Sequence, residues 1–335
     1  MNTPKILIFN NSYKKEYKNF CIKNFGISCY QKKDSFIKWM FEENPYSRDY
    51  SNFLLAILNS KIVGCIHLMP LKYRININDT KKEFKIPTLS NLMIDKDYRK
   101  GEGFIILQHV FSTNKSFFIP GAIGKISQTY KNLNFTKIES YWYYKIIYVN
   151  FYKLLKIFFS NKLNISALYK TVNKLKTEKI NIFTQYNSEI YKSIKYFTND
   201  EKIFPEINDV FLKWRLFHKN GPVNIVLKMK ENNSILILSV GFRKKIPITR
   251  IFFSRYETLS DYDSLLNLAF FISKKIGSLI TLIVSNVEMN IDLKSKYKIK
   301  NKDPMPDSWL RSNDIKGKNF INWELTSDIG FDYFR

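Results

Sequence analysis

The run Leu89–Leu107, LSNLMIDKDYRKGEGFIIL, constrains this chain more than any other stretch. Leu89 to Ile94 is an apolar segment that reads as a buried strand. Asp95–Lys96–Asp97–Tyr98 is a polar turn. Arg99–Lys100–Gly101–Glu102–Gly103 then opens a second apolar segment, Phe104 to Val110, with the spacing of a helix. A strand, a basic loop with two glycines and a helix N-terminus make an anion site. The first amide groups of a helix have no internal partner, and the dipole places roughly half a positive charge there. Glycines let backbone approach a ligand without a Cβ in the way.

The order of elements around this run is that of a mixed α/β unit of about 145 residues, an ordinary domain size. Lys5–Phe9 reads as a strand and Tyr13–Phe25 as a helix. Asp34–Ser35 offers cap chemistry for a helix over Phe36–Glu43, stopped by Asn44–Pro45. Phe53–Leu58 and Ile62–Pro70 flank Asn59–Ser60–Lys61 as a hairpin. After Phe104–Phe111, Ile126–Leu133 reads as a short helix ended by Asn134, a residue that tolerates positive φ. Phe135–Tyr144 then reads as one strand.

With the loop Tyr98–Gly103 and the later Tyr130–Lys131–Asn132–Leu133–Asn134–Phe135, this order resembles the GNAT superfamily of N-acetyltransferases. Lys100 stands where the family's first loop glycine commonly is, and Asn134 where its second motif usually has glycine. The resemblance implies acetyl-CoA as cosubstrate. It places the cofactor on the strand end Leu92, Met93 and Ile94 and on the loop residues Arg99, Lys100, Gly101, Glu102, Gly103 and Phe104, with the pyrophosphate on the loop amides. It implies Tyr130 as the general acid that protonates the departing thiolate, where Lys125 and Lys131 could lower its pKa. The residue-level alternative is a tyrosine packed on the sheet. No general base is named. Glu42, Glu43 and His67 are titratable candidates, and His67 in a strand reads more simply as a buried, satisfied histidine. Trp39 and Asn44–Pro45 are similar to a segment of GNAT-like proteins from bacterial surface-polysaccharide loci.

The second half echoes the first. Phe211–Leu212–Lys213–Trp214 repeats Phe36–Ile37–Lys38–Trp39, each after an acidic helix start and before a hairpin. Tyr262–Lys275 reads as the following amphipathic helix. The loop before it, SRYETLSDYDS, has no glycine, and Glu257, Asp261 and Asp263 should repel a pyrophosphate. The expected fold class is therefore α/β (α+β): two tandem GNAT-like mixed β-sheets flanked by helices, with a degenerate second copy. The expected division is 1–145 for the acyl-CoA-binding domain, 146–190 for a linker with a helix, and 191–335 for the second copy, with a last strand over Ile321–Leu325.

Composition narrows the partners. Of 335 residues, 54 are Lys or Arg and 29 Asp or Glu, a net +25 that favours anionic ligands. The lysines are scattered, without zinc-finger spacing or an RNP-like motif, which argues against nucleic acid. Cys21, Cys29 and Cys65 lack metal spacing, His67, His109 and His218 are far apart, and three free thiols suit a reducing, cytoplasmic setting. No window is apolar enough for a transmembrane helix. Tyr141–Phe159 is aromatic and basic, either an interfacial helix on an anionic membrane or a strand end followed by a helix packed between domains. Asp328 and Asp332 form a small acidic cluster, read as solvated tail or cleft lining.

Three functions fit: an acetyl-CoA-dependent N-acyltransferase acting on an amine-bearing small molecule, such as an amino sugar of surface polysaccharide; a tandem-GNAT aminoacyl transferase using aminoacyl-tRNA; and a non-catalytic GNAT-like binding module. Oligomeric state is open.

Overall fold

The computed structural model describes residues 3–47, 49–77, 80–99, 101–114, 116–122, 124–148, 165–175, 177–198, 203–243 and 246–312. They form two compact units. The first runs Met1–Ile138 and takes in a later strand that begins at Asp307; the second spans Glu139–Pro306.

In the first unit, β1 (Lys5–Ile8) leads to α1 (Lys14–Phe25) and α2 (Asp34–Ile37), which continues through a wider π-turn over Lys38–Glu42. The hairpin of β2 (Phe53–Leu58) and β3 (Lys61–Met69) follows. Asn59 and Ser60 both take positive φ, 47° and 59°, the twist that a two-residue hairpin turn requires. A second hairpin joins β4 (Lys72–Ile77) to β5 (Thr80–Lys85). Then come β6 (Thr88–Ile94), α3 (Glu102–Thr113), β7 (Ser116–Ala122), α4 (Lys125–Asn132) and β8 (Thr136–Ile138). The sheet order is β1-β2-β3-β6-β7-β17-β8, where β17 is Asp307–Ser312. All neighbours are antiparallel except β6 and β7.

The second unit holds β9 (Tyr141–Ile146), α5 (Ile165–Asn173), β10 (Ile180–Phe183), α6 (Ser188–Thr198), β11 (Ile203–Pro205), α7 (Asp209–Phe217), β12 (Val223–Met229), β13 (Ile235–Arg243), β14 (Ile246–Arg255), α8 (Leu259–Ile276), β15 (Ile280–Ser285), α9 (Ile291–Tyr297) and β16 (Lys300–Asn301). Its sheet order is β10-β12-β13-β14-β15-β9-β16. Position by position this is the order of the first sheet, again with one parallel pair, β14 and β15, in the fifth-strand junction. The repeat seen in the two FxKW segments extends to the whole topology. In both copies the motif's Phe and Trp are buried: Phe36, Trp39, Phe211 and Trp214.

The strand expected over Phe135–Tyr144 is two strands. β8 ends at Ile138 and stays in the first sheet; β9 starts at Tyr141 and enters the second, where it pairs with β15 and β16. In exchange β17 fills the first sheet between β7 and β8. A helix beginning at Tyr141 is therefore excluded for its first turns. Tyr141–Ile146 alternates across the sheet, with Tyr143 in the core of the second unit. Residues 149–159 of that stretch, Asp328, Asp332 and the strand expected over Ile321–Leu325 lie outside the described residues. Asp34 does not cap α2 but lies in its first turn and pairs with Lys14 and Lys18 at 3.2 and 3.0 Å.

Helix α3 packs close on the sheet because β3 supplies a glycine beneath it. A Cβ on Gly64 would come 2.7 Å from Ile94 Cδ1 and 2.9 Å from Ile106 Cδ1, with Met93 O at 3.2 Å. Ile106 is wholly buried, so it has little room to yield. Gly64→Ala is expected to destabilise the protein by about 1–3 kcal/mol, as overpacking does; a denaturant midpoint equal to wild type would show that the contact relaxes freely.

Candidate functional site

The parallel junction of the first unit opens at a defined point. Beyond Thr88, which pairs with Phe118, no further β6–β7 register is formed among the described residues. On its other edge, β6 pairs with β3 through Ile94. That ladder shifts register between His67 and Leu68, leaving Ser90 as the extra residue on β6. A bulge bends its strand and adds twist, and the β6–β7 register is not continued past Thr88 among the described residues. The backbone edge of Leu92–Ile94 is then available on the β7 side. Their side chains are not. Leu92 and Ile94 pack on the α3 core, and Met93 is buried on the opposite face.

The turn after β6 is built from charges the chain satisfies itself. Asp95 is buried, accepts from Asp97 N at 3.1 Å and pairs with Lys23 Nζ at 2.8 Å; Asp97 meets the same ammonium at 2.9 Å. Burial pushes the Asp95 carboxyl upward, but the Lys23 ammonium and the Asp97 amide outweigh it and hold the carboxyl below its usual range. Both acids are thus held by the one Lys23 ammonium of α1. Arg99 is exposed, and its Nε donates to Ile94 O at 3.2 Å. Lys100 lies outside the described residues.

At the start of α3, Gly101 has φ 133° and provides no side-chain cap. A Cβ there would meet nothing within 4 Å, so the position is open as well as conformationally restricted to glycine. Helix bonding begins with Phe104 N and Ile105 N, both onto Gly101 O. The preceding amides point out of the helix end. Gly103 has a different purpose from the one expected of it. Its missing Cβ would lie 3.3 Å from Ile94 Cγ1, so it lets α3 approach β6 rather than a ligand approach the loop. Glu102 is in the first turn and Phe104 is exposed.

Tyr130 lies on α4, which follows the C-terminal end of β7, the same end of the parallel pair as the β6–α3 loop. Such ends are where open α/β sheets bind ligands. The helix ends in a Schellman motif: Phe135 N bonds Tyr130 O, Asn134 N bonds Lys131 O, and Asn134 takes φ 59°. The Tyr130 and Phe135 rings meet at 5.2 Å, which fixes the phenol. Its ring is buried, yet its hydroxyl makes no hydrogen bond to any described residue. Burial raises its pKa to about 12. Lys125 and Lys131 do not lower it, because both side chains lie on exposed positions of the helix.

The second copy lacks both features. Between β14 and α8 there are three residues where the first copy has seven, Asp95 to Gly101. Thr258 and Asp261 close a capping box at the start of α8. Asp261 also accepts from Asn232 Nδ2 at 3.0 Å and Ser234 Oγ at 3.1 Å. A carboxylate of the chain itself thus occupies the helix end. Glu257 accepts from Asn233 N, and Asp263 pairs with Lys296. The acidic loop is used up in capping and pairing. Helix α9 ends like α4, with Ile299 N on Lys294 O and Lys298 at φ 53°. In that register Lys294 stands where the first copy has Tyr130.

His67 is a buried structural group. Asn91 Nδ2 donates to His67 Nδ1 at 3.2 Å, His67 Nε2 meets Tyr17 Oη at 3.0 Å, and Tyr17 donates to Gln31 O at 3.2 Å. Tyr30 Oη donates to Asn91 Oδ1 at 2.8 Å. Burial lowers the imidazole pKa to about 3, so it is neutral at physiological pH and too weak a base to take a proton from an ammonium there. Glu42 accepts from Tyr50 Oη. Asn44 is fully buried and ties Met40 O and Pro70 O, a structural role.

Neither a protein-family model nor a curated protein matches the sequence. Solved structures do match in fold. Saccharomyces cerevisiae N-myristoyltransferase with bound myristoyl-CoA and inhibitors aligns with a TM-score of 0.64 at 10% identity, over 99% of this chain and 86% of that one. The chain has a tandem GNAT fold. A putative acetyltransferase from Pyrococcus horikoshii aligns at 0.56 and 13% identity, over 100% and 95% of the two chains. A GCN5-related N-acetyltransferase from Anabaena variabilis aligns at 0.55 and 9%, over 92% and 72%. No helix among the described residues is long and apolar enough to cross a membrane.

The Lys23–Asp95 tie has a pH signature. A carboxyl depressed in the folded state contributes stability above its unfolded pKa of about 4 and loses it as pH falls through the folded value. Asp95→Asn is expected to destabilise at neutral pH, with the deficit shrinking as pH falls below about 4. A deficit that does not change with pH, measured by chemical denaturation, would assign Asp95 to hydrogen bonding alone.

Proposed function

We propose that the first unit is an acyl-CoA-dependent N-acyltransferase and the second a non-binding copy. The observation that carries this reading is the uncapped N-terminus of α3 after Gly101, beside the freed edge of β6, set against the self-capped start of α8. The residues present suit a CoA ester. The α3 end and the basic Arg99–Lys100 pair would hold the pyrophosphate, with the amides from Arg99 to Gly103 as donors; the Phe104 amide expected to join them is taken by Gly101 O. The backbone of Leu92, Met93 and Ile94 would pair with the amide-bearing arm, as a strand edge pairs with an extended peptide. The fold neighbours support an acyl-CoA cosubstrate, and we take acetyl-CoA as the donor. The acceptor is a primary amine on a small molecule, with an amino sugar as the class that the likeness suggests.

In the reaction, the neutral amine nitrogen attacks the thioester carbonyl carbon. The new C–N bond forms, the C–S bond breaks, and its electron pair leaves on sulfur. Tyr130 gives its phenolic proton to that sulfur. Burial suits this role, because a phenol raised to about 12 stays protonated at every physiological pH. The proton lost by nitrogen passes to a base that we do not assign.

Acetyl-CoA at a hundredfold excess over its Kd is expected to stabilise the folded protein by about 2.7 kcal/mol. Calorimetric titration without heat at millimolar acetyl-CoA, together with an unmoved melting temperature, would remove the reading. Fatty acyl-CoA binding in its place would keep the site and change the donor.

Tyr130→Phe retains the ring and its contact with Phe135. Turnover is expected to fall on the order of 10²–10⁴ with CoA affinity nearly unchanged. The wild-type rate should show no loss from phenol ionisation up to about pH 10. Normal turnover in the variant would end the proposed role of Tyr130, and intact CoA binding without turnover on any amine in the wild type would favour a binding module.

A further inference from the structure

The second unit carries a basic, aromatic depression that the acyl-transfer reading does not use. The end of β9, the C-terminal half of α8 and the end of α9 surround a volume of about 510 Å³. Lys145, Lys274, Lys298 and Lys300 line it, and no Asp or Glu does. Four ammonium groups around one hollow repel each other, and burial together with the Lys298 charge keeps the Lys145 pKa below its ordinary value. The geometry is held by the fold. Lys145 lies 5.0 Å from the Phe270 ring and 5.7 Å from the Tyr297 ring, and donates to Tyr297 O. Lys298 is pinned at the left-handed end of α9. The carboxylate on the adjoining face of α8, Asp263, is already taken by Lys296 at 2.7 Å and by Tyr297 Oη at 2.9 Å. Lys298 and Lys300 have no ion-pair partner among the described residues.

Large apolar side chains stand exposed at this same hollow. Tyr148 is 83% exposed, Ile146 49% and Phe271 44%. Lys275 lies 5.2 Å from the Phe271 ring, adding a fifth cation beside it. Lysines alone would suit any polyanion. Ile146 offers nothing to a nucleic acid, which uses aromatic faces and polar edges, and no arginine lines the hollow. Lysine heads with aliphatic and aromatic side chains at one level match the headgroup layer of a bilayer, where apolar groups enter the acyl boundary and ammonium groups meet phosphate.

We propose that this face of the second unit docks the protein on an anionic lipid surface, with lipid phosphates among Lys145, Lys274, Lys298 and Lys300 and with Ile146, Tyr148 and Phe271 in the headgroup layer. The site is independent of acyl-CoA binding, so either assignment can fail without the other.

The test is sedimentation of the full chain with phosphatidylcholine vesicles, with and without phosphatidylglycerol. Partitioning is expected to be at least about tenfold stronger on the anionic vesicles and to weaken with salt, as charge screening requires. The overall charge of the chain demands a control. Lys298→Glu with Lys300→Glu should lose that binding, whereas Lys15→Glu with Lys61→Glu, the same charge change on the first unit, should largely keep it. Phe271→Ser should weaken binding without removing its salt dependence. Melting temperatures identify variants that fail to fold, and Phe271→Ser then serves as the independent arm. Equal loss in both charge-reversed pairs would reduce the effect to bulk charge and overturn the proposal. So would equal binding to neutral vesicles, or retention of polyuridylate or inositol hexaphosphate through these lysines without retention of vesicles.

Discussion

The one-residue bulge at Ser90 is the constraint from which the candidate site follows. A parallel pair continues as long as both strands keep the same twist. A bulge adds local twist to its strand, and the registered pairing of β6 with β7 stops at Thr88 and Phe118. An opened strand edge in the middle of a sheet would be a defect in most proteins, because its amide and carbonyl groups face a gap. Here the gap lies below a helix N-terminus, and Gly64 and Gly103 let that helix sit close on the bent strand. The two consequences arise together: a strand edge whose register with β7 has ended, and a helix start without a side-chain cap.

The second copy shows what else the same topology can do. Its β14 also bulges, at Phe252, and its parallel pairing stops just before that residue, after four registered pairs. The backbone frame is thus shared. What differs is the helix end, where a three-residue loop brings Thr258 and Asp261 into a capping box. A capped end gains helix stability and loses anion affinity, since the same amides cannot serve both. Thr249 adds to this, joining Ser273, Ser278 and Thr281 through buried hydroxyls across β14, α8 and β15. The two copies share a backbone frame and differ in whether the helix start is left uncapped or closed by the chain's own side chains.

Much of this was legible in local pattern. The strand, loop and helix of Leu89–Leu107, the Asn59–Ser60 hairpin, the Asn134 helix end and the paired FxKW segments each depend on neighbours within a few residues, and each is present in the structure. The Thr258–x–x–Asp261 signal of a capping box was also in the sequence, although its acidic loop reads first as simple repulsion. Other features had no local signal. Lys23 and Asp95 are far apart in the chain, and neither residue marks the other. The break at Glu139–Ser140 within an apparently continuous strand has no local signal, because both halves are extended and only their pairing partners differ.

The sequence by itself determined the alternation of strands and helices, the doubling of the unit, and the place where a helix would start after a glycine-containing loop. These are properties of period, turn chemistry and composition, and they act over short distances. Only the tertiary structure decided that β9 and β17 are exchanged between the two sheets, that Ser90 is the bulged residue, and that Gly103 serves helix packing while Gly101 leaves open space. It also decided that the Tyr130 ring is buried with its hydroxyl unpaired by any described residue. The physical reason is the same in each case. Strand register, packing distance and burial are set by partners remote in sequence, and no residue carries its partner's address.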